Sequence, residues 1–298
     1  MKSKDIVITS KKMIESNQID INGLAKDFSD TTFWYYTTLE TAKLILKNKC
    51  FYVNNLTKMN DKAEADNHKM TANSIYALCF CNSKSEKIPM WYLYSGLTGR
   101  GVSIGITPAV MLEFIRSIEN VQGVNDNAQY LRNKDFDLSA AWVYYREQKT
   151  NRVMFRNKWY SVSDGDQFFS EDNLFVKDYP WEYEKEFRIV IKTKKPPRDS
   201  QKLKINIPDS LVSKLRLRIA PEMSDSISDV KKFAYDEKIS GILPKNISKS
   251  DLNIKMGLFE RNIENLKASW DMLIKEGYIK KDDYEFFYEG IKPYISTS

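Results

Sequence analysis

Apolar positions recur along this chain with two periods. Alternation marks Leu203-Lys204-Ile205-Asn206-Ile207 and Leu215-Arg216-Leu217-Arg218-Ile219 as strands with one polar face each. Runs of β-branched and aromatic residues predict further strands at Phe33 to Thr37, Phe51 to Val53, Ala77 to Phe80, Val102 to Ile106 and Ala141 to Tyr145. Between them, Leu39, Ala42, Ile45 and Leu46 share one face of a helix over 39–47, with Thr38 as its N-cap. Pro108 opens a second helix that runs through Ile115. The polar stretch 120–139 reads as an insertion or long loop. The acidic stretch Asp164 to Asp172 reads as a mobile segment, and Ile239 to Leu243 as a short strand.

Three regions follow from this pattern. Residues 1–27 are polar with scattered Ile and Met, and read as an extension made of a short helix and a tether. Residues 28–255 form a mixed α+β body of antiparallel strands with flanking helices. Beyond 256, Leu258, Ile263, Leu266, Trp270, Leu273 and Ile274 recur near helical spacing. Gly277 then stops that helix, and Tyr284, Phe287, Tyr288 and Ile291 suggest another. A C-terminal helical hairpin over 256–298 is expected, as packing for the body or as a surface for an antitoxin, a chaperone or a second copy of the chain.

Composition narrows the chemistry. At 298 residues and 42% hydrophobic, the chain can bury a sizeable core. Its net charge of +6 permits a nucleic-acid partner without demanding one. His68 is the only histidine, which excludes H-E-x-x-H zinc chemistry and any two-histidine acid–base pair; its polar neighbours place it at the surface. Cys79 and Cys81 lie in an apolar strand and read as core residues rather than a zinc site. The N-terminus lacks a signal-peptide core and no apolar run reaches membrane-span length, so a cytoplasmic, reducing setting is expected.

The segment richest in chemistry is Trp181-Glu182-Tyr183-Glu184-Lys185-Glu186-Phe187-Arg188-Ile189-Val190-Ile191. A strand starting near Tyr183 puts Glu184, Glu186 and Arg188 on one face. Two carboxylates and a guanidinium are costly inside a sheet unless they are paired or used. A carboxylate fixed on a strand can stabilise a developing positive charge such as a sugar oxocarbenium. The plainer reading is a solvated face carrying ion pairs.

Four pieces, in order, resemble a bacterial family catalogued as a domain of unknown function, DUF2971. They are Trp34-Tyr35-Tyr36-Thr37-Thr38-Leu39; Met59-Asn60-Asp61; Met90-Trp91-x-x-Tyr94-Ser95 with Gly101-Val102-Ser103-Ile104-Gly105; and Lys177-x-x-x-Trp181-x-Tyr183-Glu184-Lys185-Glu186-Phe187-Arg188. The resemblance covers about 30 to 250. The same order resembles an ADP-ribosyltransferase, which implies a split-sheet core and NAD as co-substrate, with no metal. By that resemblance Tyr35 and Tyr36 contact the nicotinamide end of NAD, and Thr37 belongs to the cofactor-binding set. Trp91, Tyr94, Ser95, Ser103 and Arg188 line or support the pocket. Glu186 is the catalytic carboxylate, with Glu184 two residues before it. The first strand carries Tyr35 where many such enzymes carry His or Arg.

A toxin or phage-defence effector is the implied setting, with nucleic acid (RNA or DNA) or protein as acceptor. Lys194, Lys195, Arg198, Lys204, Arg216 and Arg218 follow the proposed catalytic strand and are the candidate phosphate contacts; a basic edge that discourages strand pairing is the competing explanation. Two alternatives stand beside this reading. One is a non-enzymatic binding module on a degenerate enzyme fold, with Glu186 simply paired to Arg188. The other is a metal-dependent nuclease using Asp61, Glu184 and Glu186, which needs carboxylates that converge.

Overall fold

The computed structural model describes residues 6–8, 31–59, 61–68, 71–95, 100–147, 150–155, 158–162, 174–195, 202–224 and 226–252. The expected C-terminal hairpin, the acidic segment at 164–172, Arg198 and most of the N-terminal extension lie outside the described residues. In chain order the strands are β1 (Ile6–Ile8), β2 (Phe33–Thr38), β3 (Cys50–Asn54), β4 (Ile75–Cys81), β5 (Gly101–Ile106), β6 (Asn120–Gly123), β7 (Gln129–Leu131) and β8 (Phe136–Trp142). They continue with β9 (Tyr144–Arg146), β10 (Arg152–Phe155), β11 (Lys158–Val162), β12 (Val176–Asp178), β13 (Glu186–Thr193), β14 (Lys202–Asn206), β15 (Arg216–Ile219) and β16 (Ile247–Lys249). The helices are α1 (Leu39–Asn48), α2 (Lys62–Asn67), α3 (Ile88–Tyr94), α4 (Pro108–Ser117), α5 (Asp209–Val212), α6 (Pro221–Ser224) and α7 (Val230–Asp236).

These elements form three mostly antiparallel sheets with flanking helices, a mixed α+β fold. The central sheet runs β16-β15-β5-β2-β4-β13-β8, the second β3-β14-β6-β7 and the third β1-β11-β10-β9-β12. Period-two alternation divides the central sheet into an apolar and a polar face. Phe33, Leu78, Phe80, Ile104, Phe187, Ile189 and Leu217 join Phe51, Val53, Leu203 and Ile205 of the second sheet in the main core. Helices α1 and α4 seal it with Leu39, Ala42, Ile45, Leu46, Met111 and Phe114. The N-cap of α1 is made as its sequence predicts: Thr38 Oγ1 accepts from Thr41 N at 3.1 Å.

The opposite face carries Trp34, Tyr36, Cys79, Cys81, Ser103, Glu186, Arg188 and Arg218, in register across β2, β4, β5, β13 and β15. Gly105 sits there because an added Cβ would stand 2.6 Å from the Trp34 ring and 2.9 Å from Thr32. The Arg218 guanidinium lies over the same ring, 4.0 Å from its centroid.

Several local expectations change. The stretch 120–139 is strand, not loop: buried Val121 and Phe136 anchor β6 and β8, whose partners β14 and β13 are distant in sequence. Residues 239–243 form no strand, because Gly241 at φ 85° turns the chain, with Val212 close by. Ile6–Ile8 is a strand paired in parallel with β11 rather than part of a helix. The run Ala141 to Tyr145 is broken at Val143, where the chain leaves the central sheet for the third. His68 is buried rather than at the surface; it ends α2, and its carbonyl accepts from Thr71 N and Ala72 N. No helix among the described residues is long and apolar enough to cross a membrane.

The close approach at Gly105 is testable. Gly105→Ala is expected to lower stability by about 1–3 kcal/mol through overpacking against Trp34, read as a shift in the urea-unfolding midpoint at unchanged slope.

Candidate functional site

Strands β2 and β4 pair at one position only, Trp34 with Cys81. Beyond it β4 continues with β13 and β2 with β5, so the central sheet opens. A cavity of about 220 Å³ occupies the opening. Trp34, Tyr35 and Tyr36 form one wall and Ala77 to Cys81 the other. Tyr52, Asn54, Lys58, Met59 and Asp61 close one end, and Met90, Tyr94, Lys177, Trp181, Glu184 and Glu186 the other. Tyr35 and Tyr36 project to opposite sides of β2, yet both reach the cavity because β2 is its edge.

Glu186 and Arg188 are adjacent on the polar face of β13, and both are buried, at 2% and 0% exposure. Arg188 Nε donates to Glu186 Oε1 at 2.6 Å and Nη2 to Oε2 at 3.2 Å. On its far side Arg188 pairs with Glu64 and donates to Leu174 O at 2.7 Å. Glu64 is brought in by α2, whose N-cap Asp61 accepts from Glu64 N.

The third sheet completes the cluster. Its parallel pairing sets Lys177 of β12 opposite Tyr145 of β9. Tyr145 Oη accepts from Glu186 N at 2.7 Å, and Lys177 Nζ reaches Glu186 Oε2 at 3.1 Å and Glu184 Oε2 at 2.6 Å. Glu184 Oε1 accepts from the Tyr94 hydroxyl at 2.5 Å. Lys177 also lies over Trp181, 4.9 Å from the ring centroid. Glu184 is not on the strand as expected. It ends a 3-10 turn over Tyr179–Glu184, and Lys185, at φ 44°, swings the chain into β13 at Glu186. The two carboxylates converge through Lys177 instead of through a shared strand face.

Among the described residues, three carboxylates (Glu64, Glu184, Glu186) face two cations (Lys177, Arg188), leaving one negative charge in excess if all are ionised. The environments of the central two diverge. Burial pushes Glu186 up, but Arg188 and Lys177 outweigh it and hold the carboxyl well below the usual range. Burial dominates at Glu184 and raises it, with Lys177 opposing and Glu186 adding to the rise. Lys177 stays charged because Glu186 and Glu184 overcome its burial. Burial pushes the Tyr35 phenol up to about 12 and raises Tyr36 and Tyr94 further, so all three remain neutral hydrogen-bond donors. The thiols of Cys79 and Cys81 are raised by burial and stay protonated.

Of the residues singled out in the sequence, Tyr35, Tyr36, Tyr94, Glu184 and Glu186 line the cavity together. Trp91 is buried behind it, edge-on to Tyr36 at 4.6 Å, with its indole N–H on Glu86. Thr37, Ser95, Ser103 and Arg188 are buried outside the lining; the Ser95 hydroxyl is bonded to Trp91 O, and Ser103 Oγ has no partner among the described residues. Lys177, Tyr145 and Glu64 join the site without having been singled out for it in the sequence. Lys177 stood only as the first position of a matched motif, and nothing in sequence spacing links Glu64 to Arg188, 124 residues away.

The six basic residues do not form one surface. Lys194 donates to Asn133 O, and Lys195 is exposed nearby. Lys204 projects from the second sheet away from the main core, and Arg216 and Arg218 from the central sheet away from that same core, so the two groups stand on opposite sides. Neither β14 nor β15 is an edge strand, which removes the edge-protection explanation. Among the described residues no group of three or more His, Cys, Asp or Glu is arranged to hold a metal ion. Glu184 and Glu186 instead converge on an ammonium.

Arg188→Met is expected to cost about 3–5 kcal/mol, because it strands Glu64 as a buried charge and leaves Glu186 with Lys177 alone; adding Glu64→Gln should recover part of that loss in a double-mutant cycle. The depressed Glu186 carboxyl also has a pH consequence. Its contribution is complete above the unfolded value of about 4.3 and is lost as pH falls below that toward the folded value. The raised Glu184 acts with opposite sign: its ionisation costs stability, and that cost disappears as pH falls through its folded value. Glu186→Gln should therefore flatten the loss of stability below about pH 4, measured by denaturant titration across pH.

Comparison with protein-family models, with curated proteins and with solved structures finds no match, so the geometry of this cleft carries the functional reading.

Proposed function

We propose that the cleft cleaves the nicotinamide–ribose bond of NAD and transfers ADP-ribose to an acceptor. The observation that carries this reading is the cluster of three carboxylates facing two cations, among the described residues, at one end of an aromatic-lined cavity, one negative charge in excess if all are ionised. Such a site favours a planar cation over a neutral or anionic ligand. The nicotinamide ring of NAD is a planar cation, and the ribose becomes oxocarbenium-like as the bond breaks. At about 220 Å³ the cavity is below the usual range for a whole ligand of roughly 300–1,000 Å³. It suits the nicotinamide riboside end, with the rest of the dinucleotide outside.

In this scheme the C1′–N bond breaks and nicotinamide leaves with the electron pair as a neutral molecule. Glu186, held ionised by Arg188 and Lys177, stabilises the cationic sugar. The acceptor forms the new bond to C1′ and gives up its proton. Glu184 has the raised proton affinity suited to receiving it, with Tyr94 and Lys177 orienting its carboxylate. The opening of the sheet between β2 and β4 agrees with the split-sheet core that the four sequence motifs imply.

One observation favours a second reading, a binding module on an inactive enzyme fold. Both oxygens of Glu186 are already engaged by Arg188 and Lys177.

Incubation of labelled NAD with pools of RNA, DNA and protein separates the two. Wild type is expected to release nicotinamide, and Glu186→Gln to be slower by at least 100-fold, on the order of one electrostatic interaction removed from a transition state. Folding of the variant is checked by its thermal transition. Glu184→Gln should keep nicotinamide release measurable but slow transfer by roughly 10²–10⁴ and abolish the acid limb of its pH profile. If folded wild-type protein neither releases nicotinamide nor transfers label, the module reading stands.

A further inference from the structure

A second and larger cavity, of about 540 Å³, lies on the other side of the start of β13. Of the described lining residues, Glu186 is the one shared by both cavities. Lys84, Lys87 and Lys185 line this chamber. Lys185 pairs with Glu182, whereas Lys84 and Lys87 have no ion pair among the described residues. Burial and the charge of Lys87 both depress the Lys185 ammonium, which reflects like charges crowded in one place. Trp142, Tyr145 and Phe155 supply aromatic walls. Asn82 also lines the chamber; its Oδ1 accepts from the Trp142 indole at 3.4 Å, while its buried Nδ2 has no partner among the described residues.

Cations and aromatic faces meeting in one cavity match the parts of a nucleotide. Ammonium groups meet a phosphate and aromatic rings stack on a base. A stacked base inside a duplex cannot enter a cavity, whereas an unpaired one can. We propose that this chamber receives a nucleotide of a single-stranded nucleic acid, which makes that strand the acceptor presented at Glu186. The word acceptor rests on the transfer reaction proposed above; occupancy of the chamber does not.

The test is anisotropy of a short fluorescent single-stranded oligonucleotide, as RNA and as DNA, titrated with the full chain in the absence of NAD. Binding is expected to weaken with salt, and a duplex of the same sequence to bind more weakly. Lys84→Ala combined with Lys87→Ala should weaken binding about tenfold or more and lower the salt slope by about 1.4, roughly 0.7 for each phosphate that is no longer neutralised. Absence of binding, binding indifferent to the two lysines, or equal binding of duplex overturns the proposal. So does displacement of the oligonucleotide by AMP and NAD at matching affinity, which would assign the chamber to the dinucleotide. Oligonucleotide binding without NAD cleavage sinks the transferase reading alone; NAD cleavage without oligonucleotide binding sinks the chamber alone.

Discussion

Arg188 is the charge on which the site is built. A guanidinium with 0% exposure survives inside a sheet only if its donors are satisfied by acceptors that share its negative counterweight. Glu186 meets this from the same strand, and Glu64 from a helix on the far side, with Leu174 O taking one further donor. Each partner ties a different part of the chain to β13. Removing the guanidinium would leave Glu64 unpaired and Glu186 with Lys177 alone, in a medium that solvates neither carboxylate well.

Around that pair the three sheets divide the work. The central sheet turns one face to a large apolar core, which supplies most of the burial free energy. Its other face is thereby free to carry charge. The third sheet contributes little core of its own, Tyr144 and Val153 with a few neighbours, but brings Tyr145 and Lys177 against Glu186. Its register matters more than its mass: a slip of one residue in the β9–β12 pairing would turn Lys177 away from the cluster.

The opening between β2 and β4 makes the two walls of the site from strands, and turn segments close its ends. Single-residue pairing at Trp34 and Cys81 leaves both strands with edge positions inside the molecule, and side chains from both fill the gap. A rigid wall of this kind suits chemistry that depends on fixed charge rather than on motion. The depressed Glu186 and the raised Glu184 belong to one coupled pair, held together by a single ammonium.

Much of the scaffold was legible in the residues. Period-two alternation located β14 and β15, and helical spacing with a Thr cap located α1, because these are local preferences that the tertiary fold did not override. Charge on an otherwise apolar strand singled out Glu186 and Arg188, with a solvated face of ion pairs as the plainer reading; their burial in the structure rules out the solvated face. Other features rest on contacts between distant segments and left no local trace. Strands β6 to β8 are polar enough to read as loop until β13 and β14 pair with them. The joining of Glu64 and Lys177 to the site, the gap between β2 and β4, and the separation of the basic residues onto opposite sides are consequences of strand order and register. Sequence by itself determined the local strands and helices and showed that charges on an apolar strand had to be solvated or find partners; only the tertiary structure decided that they are buried, that His68, Glu64 and Lys177 are buried too, and who their partners are, since pairing across many intervening residues follows from packing the sheets together.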